Sequence, residues 1–247
     1  MKRKKVLLVI VLLASAAAVY LFYYISPGPF PDHDTLLKGI NEYTNVDAFT
    51  IQDIIKIDAR HAFVPFISEK GLHGFSCWVW DTYRWRPARV SSWGRPEVWK
   101  LKENDPSTYY VVWNLHPQEE LTELKFYLLR DRGGHQSGGS EVYEPRVQLE
   151  TSLSFAGNTY QVMPFKTTWV NYLEQFLKVK SKMQSPNGYT LFPVQSGVYY
   201  GWMAVDAAGN SQQLEFAKES DSIHPDNAIE IVYMQHFLNK DLEFIQK

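Results

Sequence analysis

The sequence predicts a mainly β protein: an antiparallel sandwich-like or partly open barrel domain with one amphipathic helix, preceded by a single N-terminal transmembrane helix. Three observations predict it. Apolar residues recur with period two over much of residues 51–165. Clusters of Gly, Pro, Asn and Asp interrupt that stretch at intervals of roughly 8–12 residues, the spacing of short strands. An uncharged run from Val6 to Ile25 follows a basic N-terminus.

That run matches a hydrocarbon core of about 30 Å at about 1.5 Å per helical residue. Lys2, Arg3, Lys4 and Lys5 precede it, whereas Asp32 and Asp34 come before the next cation, Lys38. This asymmetry orients the N-terminus towards the cytoplasm. Tyr20, Phe22, Tyr23 and Tyr24 cluster at the exit, where amphipathic rings favour headgroups. Ala14-Ser15-Ala16 and Ala16-Ala17-Ala18 also satisfy the small-x-small rule of a cleaved signal peptide. The apolar run outlasts the usual signal core of about 7–15 residues, which favours an uncleaved anchor. The expected order is a cytoplasmic tail (1–5), a signal-anchor helix (6–25), a Pro-rich spacer (26–31) and an extracytoplasmic domain (32–247). A five-residue tail is too short to fold, so any signal inward would need a membrane partner.

Within the domain, Asp32 to Tyr43 reads as a short helix with Asp34 as its cap and Leu36, Leu37, Ile40 and Tyr43 on one stripe. Strands follow at Ala62–Ile67, Gly74–Asp81, Arg86–Ser91, Val98–Leu101, Tyr109–Leu115, Leu121–Arg130 and Thr159–Met163. Residues 146–155 alternate most cleanly, with Val147, Leu149, Leu153 and Phe155 on one face. Trp169, Tyr172, Leu173, Phe176 and Leu177 form a helical stripe, capped by Thr167 or Thr168 and ended by Ser185-Pro186-Asn187-Gly188. That stripe reads as core packing against a sheet, with a partner groove as the alternative. Val198–Asp206 and Gln212–Phe216 form a hairpin closed by Ala207-Ala208-Gly209-Asn210. The stretch from Trp202 to Asn210 resembles the late hairpin of bacterial immunoglobulin-like repeats, and the resemblance implies a sandwich. From Ile229 to Phe244 a strand pattern gives way to a helical one.

The chain has 25 Lys+Arg against 27 Asp+Glu, a net charge of −2. Without the four leader cations the remainder is 21 against 27, near −6, which argues against nucleic acid as a partner. The one cysteine, Cys77, excludes an internal disulfide and reads as a small buried hydrophobe. His73 is no base for it: four residues along one strand separate them by about 13 Å. Catalytic and nucleotide-binding signatures are absent from the sequence. The scattered histidines lack paired-ligand spacing, so neither metal nor cofactor is expected.

Two segments carry candidate binding chemistry. Arg84, Trp85, Arg86 and Arg89 concentrate guanidinium groups and an indole; Arg84 and Arg86 share a strand face and Trp85 takes the other. The alternative is core indoles with solvated edge arginines. Arg132 and His135 sit in the Gly-rich stretch 130–139, where the backbone can approach a ligand closely or simply form a long loop. The expected function is a binding or scaffolding protein of a bacterial envelope, anchored in the cell membrane. Its partners would be an anionic envelope polymer or another membrane protein. The alternative is a membrane-tethered hydrolase of envelope polymers assembled from Asp131, His135, His116 and Asp81.

Overall fold

The computed structural model describes residues 2–43, 46–81, 83–117, 121–137, 140–155, 157, 159–183, 197–214, 222–223 and 229–243. Within these, side chains of residues 2, 21–25, 135–137, 140–142, 182–183 and 222–223 are not described. The chain is mainly β, with helices α1 (Lys2–Ile25), α2 (His33–Tyr43) and α3 (Thr167–Met183). The first strands are β1 (Ala48–Ile51), β2 (Ile55–Lys56), β3 (His61–Ser68), β4 (His73–Asp81), β5 (Arg84–Ser91), β6 (Glu97–Lys100), β7 (Tyr109–Asn114) and β8 (Leu121–Arg130). Then come β9 (Gly133–Ser137), β10 (Ser140–Glu144), β11 (Val147–Ser154), β12 (Tyr160–Pro164), β13 (Val198–Asp206), β14 (Ser211–Gln212), β15 (Ser222–Ile223), β16 (Glu230–Tyr233) and β17 (Gln235–His236).

These strands form three main sheets and one hairpin. The first sheet runs β1-β3-β4-β5-β15, with β2 also on β3; the second runs β12-β7-β6-β16. The third runs β11-β8-β13-β14, with β17 joining β13 in parallel, and β9 pairs with β10. Every other pairing is antiparallel.

Alternation decides what each sheet faces. In β7, Val111 and Trp113 pack with Phe126 and Trp202 of the third sheet, while Val112 packs with Phe63, Phe75 and Cys77 of the first. The second sheet is therefore the middle layer. The outer face of the first sheet (Ala62, Val64, Phe66, Trp78) is covered by Leu36 and Ile40 of α2. That of the third (Tyr127, Leu129, Met203, Val205) is covered by Phe237 and Leu242. With both faces occupied, strands such as β3, β4 and β13 are buried along most of their length.

Most predicted strands and helices are present with shifted ends; of the strand expected at Gln212–Phe216, only Ser211–Gln212 is strand among the described residues. The α2 cap is Asp32, whose Oδ1 accepts the Thr35 N–H at 2.9 Å, so Asp34 lies inside the first turn. α3 starts on Lys166, whose carbonyl accepts from Trp169 and Val170. The expected stop at residues 185–188 lies outside the described residues. In the β13–β14 turn, the Asp206 carboxylate accepts the N–H groups of Ala208 and Asn210. After β16 and β17 the expected C-terminal helix is only a 3-10 turn, Asn239–Asp241.

The Pro-rich spacer is no free stalk. Phe30 packs edge-on to Trp85 (centroids 4.7 Å apart) and Trp78 (6.2 Å), and Trp85 Nε1 donates to the Gly28 carbonyl at 3.1 Å.

Among the described residues no helix is long and apolar enough to cross a membrane. The side chains described in α1 run from Arg3 to Tyr20, a stretch that opens on three cations. The transmembrane expectation thus gains no support from the fold. What α1 does show is a set of apolar side chains, Val6–Leu13 with Val19 and Tyr20, that are 54–66% exposed.

Candidate functional site

The Arg/Trp segment lies on β4 and β5, where Asp81, Val79 and Cys77 oppose Arg84, Arg86 and Arg89. A bulge at Cys77/Trp78 interrupts this register. Regular alternation would place Arg89 with Trp85, on the α2 face. The extra residue, Ala88, turns Arg89 to the other face, into the layer between the first two sheets. There Arg89 is 0% exposed and pairs with Glu97 of β6, also 0% exposed, at 2.6 Å. A second bond runs from Nε to Glu97 (3.1 Å), and Nη2 also donates to Tyr233 Oη at 3.2 Å. Burial raises the Glu97 pKa, with Arg89 opposing the rise. Burial works against the Arg89 charge too, yet Glu97 and Tyr233 hold its pKa above the usual value.

The other members are engaged as well. Arg86 donates Nε and Nη2 to Asp81 Oδ2, at 3.1 and 2.9 Å. Trp85 receives the spacer. Arg84 and Arg86 do share a face, but Arg86 is held by Asp81 and Arg89 is inside the core. Of the expected clamp, Arg84 alone is exposed.

The Gly-rich stretch is a hairpin, β9–β10, on the far side of β8 in sequence and in a different sheet from the Arg/Trp segment. Arg132 pairs with Glu243 at 2.9 Å, and Arg146 reaches the same carboxylate at 3.3 Å. The His135 side chain lies outside the described residues. Of the hydrolase candidates, Asp131 accepts from Tyr199 Oη at 2.7 Å, His116 Nδ1 lies 2.9 Å from the Pro117 carbonyl oxygen, and Asp81 is paired with Arg86. These partners belong to separate parts of the fold. Among the described residues no three His, Cys, Asp or Glu side chains group as metal ligands. Cys77 is buried, and burial pushes its thiol pKa well up, away from nucleophilic use.

The feature that the sequence reading missed is a cleft between α3 and the base of that hairpin. It is lined by Arg130, Glu144, Tyr172, Gln175, Phe176 and Lys180, with Val179, and has a volume near 190 Å³. Arg130 ends β8 and Glu144 ends β10, so the hairpin's two feet form one wall. Arg130 Nη2 donates to the Pro145 carbonyl at 3.1 Å, and Nη1 is 3.7 Å from Glu144. Among the described residues its Nε is buried without a partner, and so is the Tyr172 hydroxyl. Burial raises the Tyr172 pKa, which keeps the hydroxyl a donor.

No protein-family model, curated protein or solved structure matches the chain. The site must therefore be read from its own chemistry. Arg130, Tyr172 and Lys180 line an opening whose other lining residues are Glu144, Gln175 and the apolar Phe176 and Val179. Phe176 stacks on Tyr172 at 6.4 Å, and Val179 is 52% exposed. Such a cleft suits an anionic group with a short apolar neighbour. It is smaller than the roughly 300–1,000 Å³ of a whole-ligand pocket, so it fits one unit of a larger molecule. Its sequence signal was the spacing of Tyr172, Phe176 and Lys180, four apart on one helical face.

Proposed function

We propose that this is a binding protein of a bacterial cell envelope, held in the cell membrane by α1 with its C-terminal domain outside the cytoplasm. In this reading the sandwich-like domain presents the α3 cleft to an anionic envelope polymer. The observation that carries the reading is a pair of buried donors without a partner among the described residues, Arg130 Nε and Tyr172 Oη, on two residues that line an open cleft. A buried donor without a partner costs about 1–3 kcal/mol; a bound phosphate or carboxylate oxygen would satisfy both. The exposed apolar side chains of α1 support the anchor, because bilayer hydrocarbon removes such a surface from water.

The test uses the full chain in lipid nanodiscs and butyl phosphate, which carries the anion and a short apolar arm. Titration calorimetry should detect binding. Tyr172→Phe and Lys180→Glu should each weaken it about tenfold or more, the value of a charge-assisted hydrogen bond. Absence of binding, or unchanged affinity in both variants, would remove the cleft from consideration.

A further inference from the structure

We infer that the tip of the β4–β5 hairpin, carrying Trp80, Tyr83, Arg84 and Trp85, rests on the headgroup layer of the membrane that holds α1, on anionic phospholipid. The inference rests on the anchor reading above and adds the face that the domain turns to the bilayer.

The chain itself sets the distance. The apolar helical run ends at Ile25, and three residues later the Gly28 carbonyl accepts the Trp85 indole N–H at 3.1 Å. Three residues span at most about 11 Å. Half the difference between a whole bilayer and its hydrocarbon core is about 5–7 Å of headgroups. Trp85 is therefore tied within or just above that layer. The tie is close-packed: a Cβ on Gly28 would stand 3.0 Å from the Trp80 ring. Trp80 and Trp85 meet edge to face at 5.8 Å, and Phe30 closes the other side of Trp85.

The tip's own chemistry fits that position. Tyr83 is 47% exposed and holds φ at 76°, a conformation that glycine or asparagine adopts far more cheaply. A bulky residue there carries backbone strain, while its side chain stays exposed. Tyrosine and tryptophan favour the membrane interface. Arg84, exposed beside Tyr83, adds attraction to anionic lipid.

The test places an environment-sensitive fluorophore at Leu12→Cys, Tyr83→Cys or Ala208→Cys in the full chain, each in a Cys77→Ser background. Vesicles contain phosphatidylcholine and phosphatidylglycerol, with spin-labelled lipid as quencher. The Leu12 label should be quenched by deep labels. The Tyr83 label should be quenched by headgroup labels severalfold more than the Ala208 label, which sits on the β13–β14 turn of the third sheet. A quenched Leu12 label with Tyr83 and Ala208 equally open to aqueous iodide would overturn the inference and leave the anchor standing. An unquenched Leu12 label would sink both.

Discussion

At residue scale, the decisive placement is that of Arg89. Two charges with no solvent exposure sit in an otherwise apolar layer beside Trp99, Val112 and Cys77. Desolvation opposes each charge, so the pair is held by its mutual bonds and by Tyr233. Removing one partner strands the other. Arg89→Met or Glu97→Leu alone should lower stability by about 3–5 kcal/mol, whereas the double replacement should recover most of that loss. Urea unfolding of the four proteins checks this; two additive single losses would count against the pairing. His73 provides a second prediction. Burial lowers its pKa, the neighbouring His116 adds to the effect, and a contact with Asn114 Oδ1 at 3.2 Å opposes it. Burial lowers the pKa of His236 as well. A lowered folded-state value means that the unfolded chain binds more protons below the ordinary 6.5. This stability is complete above that value and drains as pH falls beneath it. The melting temperature should drop between about pH 7 and about pH 5, before carboxylates protonate. His73→Gln should shrink the drop.

At the scale of elements, the sheets are joined at a few close approaches. Asn114, at the end of β7 in the middle sheet, sends Nδ2 to the carbonyls of Gly74 (2.6 Å) and Phe66 (3.1 Å) in the first. Its own N–H donates to the Gly94 carbonyl at 2.7 Å. Gly94 has φ of +60°, and a Cβ there would fall 1.9 Å from the Asn114 oxygen. No rotamer relieves that contact, since it is with backbone. Gly94→Ala should therefore cost more than the usual 0.5–3 kcal/mol of a point substitution, about 4 kcal/mol or more. Gly157→Ala, where nothing lies within 4 Å, controls for the strain of positive φ alone. Thermal unfolding of the two variants separates crowding from backbone conformation. The hairpin β9–β10 teaches a related lesson: a Gly-rich segment read as a ligand-approaching backbone or a long loop becomes strand because its partner follows immediately, from Gly133↔Glu144 to Ser137↔Ser140.

At the scale of the whole molecule, three stacked sheets with covered outer faces leave little doubt as to which surfaces are core. They also explain why the strands look more continuously apolar than a two-layer sandwich requires: β4 is buried on both sides from Gly74 to Val79. The longest run of uncovered apolar side chains among the described residues is that of α1. If α1 is the anchor, protease added to intact cells should degrade the domain, and the full chain should sediment with membranes after alkaline carbonate washing. Recovery of the intact chain in the soluble fraction would defeat the anchor and every reading built on it.

Period-two strands, the α3 stripe, the basic-then-apolar leader and the acidic balance were all legible in the sequence. Each depends on residues a few positions apart, where geometry repeats. The direction of Arg89 was not legible, because a single bulge inverts it. Nor was the docking of the spacer, which depends on Trp85 fifty-seven residues away. The cleft needed Arg130, Glu144 and Tyr172 brought together from two strands and a helix. Local periodicity thus determined most elements and, where no bulge intervened, their faces. Register and layer stacking, set by contacts between distant residues, decided which charges were buried and where donors were left without partners.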